Sequence, residues 1–162
     1  VKITEMRKRL ENVIPLLTPQ VRVNIAMASN DATTSSDIVA FPGRLTPVGG
    51  KARPLSSPKF GSSSHLSELL LDLRKFDSNA SIIINLRWDS IISELLKELN
   101  VISVKLNRNG DDLSISEFAI EAEALIDEGG YGFEPSLYIV GNNYDRVCRI
   151  VEDLAKSMEA MA

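Results

Sequence analysis

The chain has 162 residues, enough for a single domain with one sizeable core. A net charge of −4, without a block of basic residues, excludes a nucleic-acid clamp within this segment; DNA would be met only through a separate domain. No apolar run approaches the ~20 residues that span a membrane, and no signal peptide is visible.

The one cysteine, Cys148, has no partner for an internal disulfide. It lies in an apolar helical stretch and reads as a buried small hydrophobe in a reducing, cytoplasmic setting. The chain starts at Val1 and enters a helical pattern at once, which suggests one domain over 1–162, excised from a longer protein.

In chain order, 2–14 reads as an amphipathic helix, with Ile3, Met6, Leu10 and Val13 on one face and Pro15 as its stop. Strands are expected over 21–27 and 37–41. Residues 42–64 hold four prolines and four glycines (Gly43, Gly49, Gly50 and Gly61) and read as a long turn-rich loop. A helix follows over 65–76, its face set by Leu66, Leu69, Leu70 and Leu73. Next come a buried strand over 81–88, a helix over 91–99 capped by Asp89 and ended by Asn100, and a strand over 101–106 closed by a turn at 107–110. Ser114 and Glu117 form a capping-box pattern for a helix over 115–123. A short strand over 125–127 leads into the loop Glu128-Gly-Gly-Tyr-Gly132. A strand over 137–141 and a helix over 144–160 end the chain. Strands and helices alternate, so the class is α/β.

Three features could carry chemistry. The first is Gly61-Ser62-Ser63-Ser64-His65 at the entrance to an apolar helix. A helix N-terminus with glycine and hydroxyl donors suits a phosphate, whereas a plain reading makes Ser64 the N-cap and His65 a surface residue. His65 is the only histidine, so no multi-histidine metal site is possible. The second feature is the loop after Asp127, where Gly129, Gly130 and Gly132 could form a nest of N–H groups for an anion, or simply a turn. It lacks the spacing of a dinucleotide fingerprint, and no organic cofactor is expected. The third is polar residues inside apolar strands: Asn24, and Asn85 with Arg87. Such side chains need partners, either ligand or backbone.

Taken in order, Asn24-Ile-Ala, Pro42-Gly-Arg-Leu45, Phe60-Gly-Ser-Ser-Ser-His65, Asn85-Leu-Arg-Trp88 and Asp127-Glu-Gly-Gly-Tyr-Gly-Phe-Glu-Pro135 resemble the ThiN-type thiamine-phosphate synthase domain. The resemblance runs from about residue 10 to 155. It implies a three-layer α/β/α domain with a mixed, mostly antiparallel sheet, related to the class II aldolase shape. It also implies a reaction: hydroxymethylpyrimidine pyrophosphate and hydroxyethylthiazole phosphate give thiamine phosphate and pyrophosphate. The family's functional arginine and histidine fall on Arg44 and His65. The resemblance further suggests a homodimer and phosphorylated thiamine precursors as ligands. Mg²⁺ would be held mainly by the substrate's pyrophosphate, since no carboxylate cage is visible.

Three positions depart from the family pattern. Phe133 stands where a lysine is usual, Glu128 where an arginine is usual, and Leu106-Asn-Arg108 replaces Phe-Asp-Arg. The first two changes remove positive charge from the glycine-rich loop. The alternative function is a non-catalytic, thiamine-phosphate-sensing domain of an archaeal transcriptional regulator.

Overall fold

The computed structural model describes residues 2–161. Helix α1 (Lys2–Leu10) buries Ile3, Met6 and Leu10 and stops sooner than its periodicity suggests. A 3₁₀ turn over Ile14–Leu17 takes over, with Pro15 near its start. Proline lacks the N–H that an α-helix interior needs, and a 3₁₀ start tolerates it.

Strands β1 (Ile25–Ala28) and β2 (Ile38–Ala40) follow, then a hairpin of β3 (Leu45–Val48) and β4 (Lys51–Pro54), and the short β5 (Lys59–Phe60). The 42–64 stretch, turn-rich as expected, thus also holds a paired hairpin and a short strand at the sheet edge. Gly49 and Gly50 take φ of 59° and 78°, the double positive that a tight hairpin turn requires. Pro47 and Pro54 are tolerated because this hairpin is a separate two-stranded sheet.

Helix α2 (Ser64–Arg74) turns Leu66, Leu69, Leu70 and Leu73 inward, as their spacing predicts. Each such burial is worth about 1.5–3 kcal/mol. After β6 (Ile82–Arg87), Asp89 caps α3 (Ser90–Glu98) by accepting from the Ile92 N–H at 2.9 Å. Asn100 ends that segment at φ 56°.

The next region departs from expectation. Beyond β7 (Ser103–Lys105), the chain forms a second hairpin, β8 (Asn107–Asn109) and β9 (Asp112–Ser114), turning at Gly110 with φ 61°. Ser114 ends a strand instead of capping a helix, and only a 3₁₀ turn forms over Glu117–Glu121. Ile115 and Ala119 are buried there and Ile120 is exposed. β10 (Ala124–Asp127), β11 (Ser136–Gly141) and α4 (Tyr144–Met161) complete the chain.

The main sheet has seven strands in the order β5-β2-β1-β6-β11-β10-β7. Only β10 and β7 run parallel; every other pairing is antiparallel. Strand alternation divides the core in two. Ile82, Ile84, Leu86, Leu137 and Ile139 face α1, α3 and α4, with Cys148 fully buried among them. Ile83, Leu125, Tyr138 and Val140 face α2. The result is the mixed, mostly antiparallel α/β/α arrangement. No helix among the described residues is long and apolar enough to cross a membrane.

Candidate active site

On the α2 side of the sheet, a cleft of about 510 Å³ opens between the start of α2, the ends of β6, β10 and β11, and the β8–β9 hairpin. That is within the usual range for a small-molecule site. Arg44 and His65, far apart in sequence, both line it.

Arg44 reaches the cleft from a strained turn. Gly43 and Arg44 follow each other at φ 71° and 68°, and the Arg44 N–H donates to the Phe41 carbonyl at 3.2 Å. An arginine in the left-handed region costs about 1 kcal/mol or more, and such strain clusters at functional positions. Unlike the arginines held by carboxylates, Arg44 is in none of the ion pairs among the described residues.

His65 lies in the first turn of α2, and its Nε2 is 2.7 Å from the Tyr138 hydroxyl. Desolvation in the cleft lowers its pKa, and the positive charge of Arg44 adds to this, so the neutral imidazole is favoured.

The opposite wall is an ion pair. Arg108, on β8, gives Nε to Asp127 Oδ1 at 2.9 Å and Nη2 to Oδ2 at 2.6 Å. Asp127 is 2% exposed at the end of β10, so this bidentate pair is largely desolvated. Phe133 lies under the guanidinium, 4.3 Å from its carbon to the ring centroid. The aromatic ring that replaces the family's usual lysine is thus a platform for Arg108. Glu128, the other charge change, points instead to Lys105 at 3.0 Å and does not line the cleft.

Several residues expected at the site have local structural partners instead. Asn24 donates Nδ2–H to the Phe41 carbonyl at 2.9 Å and accepts from the Ile25 and Phe41 N–H groups. It braces β1 against the turn that carries Arg44, and it does not reach the cleft. Asn85 lines the cleft, but its Oδ1 accepts from the Asn24 N–H at 2.7 Å and its Nδ2 donates to the Arg22 carbonyl at 2.9 Å. Arg87 lies outside, with Nε 3.0 Å from Asp89 Oδ2. Gly61, Ser62, Ser63 and Ser64 also lie outside the lining. Ser63, not Ser64, is the N-cap, accepting from the Leu66 N–H at 3.4 Å. Gly61 donates its N–H to the Ile38 carbonyl at 3.0 Å.

The glycine-rich loop is not an open nest. The Gly129 N–H donates to Asp127 Oδ1 at 2.9 Å, and Gly130 and Phe133 exchange backbone hydrogen bonds. Gly129 takes φ 76°, and a Cβ there would lie 2.7 Å from the Phe133 carbonyl oxygen, so only glycine fits. The loop's rigidity holds Phe133 and Glu134 in the cleft wall. Glu134 in turn accepts from the Gln20 N–H at 2.9 Å, tying the loop to the entry of β1.

Sequence reasoning missed Arg108, Tyr138 and the acidic rim of Glu68, Asp72, Asp111 and Asp112. Tyr138 had a signal: a buried tyrosine needs a partner for its hydroxyl. Arg108 stood in the sequence only as the arginine kept in Leu106-Asn-Arg108, and it is the folding of its hairpin over the sheet that brings it to the cleft.

The fold resembles those of solved structures at low sequence identity. L-fuculose-1-phosphate aldolase from Thermus thermophilus superposes with a TM-score of 0.50 at 13% identity, covering 98% of this chain and 93% of that one. A closer match is the crystal structure of the C-terminal domain of phosphomethylpyrimidine kinase, with a TM-score of 0.81, 19% identity, and coverage of 94% and 96%. The family model "Thiamine-phosphate synthase ThiN" matches residues 2–153, and the chain belongs to that family. Thiamine-phosphate synthase ThiN of Methanothermobacter thermautotrophicus is 22% identical, with 99% of this chain and 95% of the relative aligned.

Proposed function

We propose that this domain is a thiamine-phosphate synthase that joins hydroxymethylpyrimidine pyrophosphate to hydroxyethylthiazole phosphate. The observation that carries the reading is Arg44, a cation without a carboxylate partner among the described residues, held in a strained turn and lining one cleft with His65 in a chain that belongs to this family. In the reaction, the bond between the pyrimidine methylene carbon and the pyrophosphate oxygen breaks, its electron pair leaving with pyrophosphate. The thiazole nitrogen then donates its lone pair to the methylene cation. The protein's part is to hold two phosphorylated substrates in line and stabilise the leaving charge.

Arg44 offers planar N–H donors to pyrophosphate oxygens. Neutral His65 offers a second donor by hydrogen bond, without the electrostatic penalty of another cation beside Arg44. Phe133 and Leu69 supply apolar surface for a heteroaromatic ring.

Among the described residues, no three histidine, cysteine or acidic side chains converge to hold a metal. The cleft still suits Mg²⁺ carried on pyrophosphate, because Glu68, Asp72, Asp111 and Asp112 give its rim negative character. When bound, Mg²⁺ would supply charge neutralisation for the leaving group. A homodimer and a cytoplasmic location belong to the same reading, the latter fitting one buried free cysteine.

The test is to incubate the protein with both substrates and Mg²⁺ and measure thiamine phosphate. Product above the protein-free control supports the enzyme. No product, together with calorimetric binding of thiamine phosphate, would replace it with the sensor reading.

A further inference from the structure

Tyr138 belongs to no motif that pointed to the site, yet it is the one side chain hydrogen-bonded to His65 among the described residues. It projects from β11, where it pairs with Asn85 of β6 on one side and Leu125 of β10 on the other. Its position is therefore set by the middle of the sheet and not by a loop. The residue is 2% exposed, so the hydroxyl needs a partner inside the protein. The imidazole and phenol rings pack tilted at 58° with centroids 5.8 Å apart, which fixes the plane of the histidine as well as its reach.

The direction of the hydrogen bond follows from the neighbours. Burial and the charge of Asp127 push the phenol up to about 12, so it keeps its proton throughout the physiological range. Among the described residues, His65 is the one hydrogen-bond partner of the Tyr138 hydroxyl, and a buried O–H left without an acceptor is costly. The acceptor left for the phenol's own proton is Nε2 of His65, 2.7 Å away. An imidazole that accepts at Nε2 and is neutral carries its proton on Nδ1, and the partner of one ring nitrogen decides the state of the other.

We propose that Tyr138 is the positioning residue of the site, locking His65 as the Nδ1–H tautomer so that Nδ1–H is the donor presented to substrate phosphate oxygens. This rests on the synthase reading for its catalytic meaning, although the tautomer itself does not. The charged groups that act on the ring are Arg44 from the β2–β3 turn, Glu68 on α2, Asp127 on β10 and Arg108 on β8. The two arginines and the two acids act in opposite directions on the charge of the ring, and none of the four is hydrogen-bonded to it, so the tyrosine is the contact that bears on the tautomer.

His65 is the only histidine, which makes the test direct. With ¹⁵N-labelled histidine, the imidazole gives one pair of ring-nitrogen signals without assignment. In water, neutral histidine prefers the Nε2–H form. The native protein at neutral pH should show Nδ1 protonated and Nε2 bare; the reverse pattern would overturn the proposal without any variant. In Tyr138→Phe, the packing ring remains and the hydroxyl is lost, so the signals should move toward the Nε2–H form. Its kcat should fall about tenfold or more, the scale seen when a group that orients a functional histidine is removed. The acid limb of the kcat–pH profile should move to higher pH, because the neutral imidazole loses its donor. An unchanged tautomer and an unchanged limb in Tyr138→Phe would overturn the assignment. Failure of the synthase reading is distinguishable: the native protein would then form no thiamine phosphate, while the spectrum would still report the tautomer.

Discussion

The two walls of the cleft each present an arginine, but in opposite states. Arg108 is held in a bidentate pair with buried Asp127, packed on Phe133, and tied again by Nη1 to the Gly110 carbonyl at 3.0 Å. Arg44 is in no ion pair among the described residues and sits on a strained backbone. A paired arginine supports structure because its charge is already matched. An unpaired one leaves its field for a ligand. Charge in a site must therefore be read with its partners, since the same side chain is a bolt on one wall and a clamp on the other.

The most severe perturbation of this contrast removes the bolt. Asp127→Ala leaves Arg108 under the loop without its counter-charge, and breaking a buried pair costs about 3–5 kcal/mol. Urea unfolding at pH 7 should show that loss; a change under about 1 kcal/mol would mean that the pair is not structural.

Removing the clamp should do the reverse. Arg44→Ala should cut the rate of thiamine phosphate formation about 10²–10³-fold, the scale of losing one donor to a developing charge. Arg44→Gly should lose the same activity while stabilising the fold by about 0.5–1 kcal/mol, since glycine tolerates φ 68°. Normal activity in both would remove Arg44 from the site. His65→Ala should cost about 10²-fold in kcat with folding intact, read by the same assay and circular dichroism.

Phe133→Lys probes the same pair of walls with a smaller effect. It restores the family's usual charge but deletes the platform under Arg108 and places a like charge beside it. Stability should fall by about 1 kcal/mol. The Michaelis constant for the pyrophosphate substrate should drop at low salt and recover as salt screens the new charge. A Michaelis constant that does not respond to salt would rule out a lysine contact with the substrate at this position.

The smallest effect is the pH dependence of stability. The pKa of His65 is lowered in the fold from its ordinary 6.5, so the unfolded chain binds the proton more readily. Its contribution is present above pH 6.5 and lost as pH falls through the folded value. His65→Gln should therefore flatten the acid side of the stability–pH curve. A steeper acid loss in the variant would contradict the sign.

Much of the frame was legible in the chain. Four leucines of α2 at helical spacing, Asp89 before α3 and the apolar run of β11 each declare their structure through local pattern and capping. The hairpins were hidden because their prolines and glycines have the composition of loops, and pairing across a hairpin leaves little trace in local pattern. Glu117–Glu121 misled for the opposite reason. Its cap pattern was helical, but the backbone makes only a 3₁₀ turn, and a cap pattern by itself does not offset the cost of nucleating an α-helix.

The site divides along the same line. Arg44 and His65 were marked by resemblance within turn-rich sequence, and the α/β class followed from alternation. Whether polar residues face a ligand or the backbone was decided only by the fold. The Asn85 side chain bonds the backbone at Asn24 and Arg22, and the Asn24 side chain that at Phe41 and Ile25, while Tyr138 meets His65 and Arg108 meets Asp127 only in the folded cleft. Periodicity records which face of an element is buried. The partner of a buried polar atom comes from a distant segment, so it exists only once the strands have paired and the hairpin has closed over them.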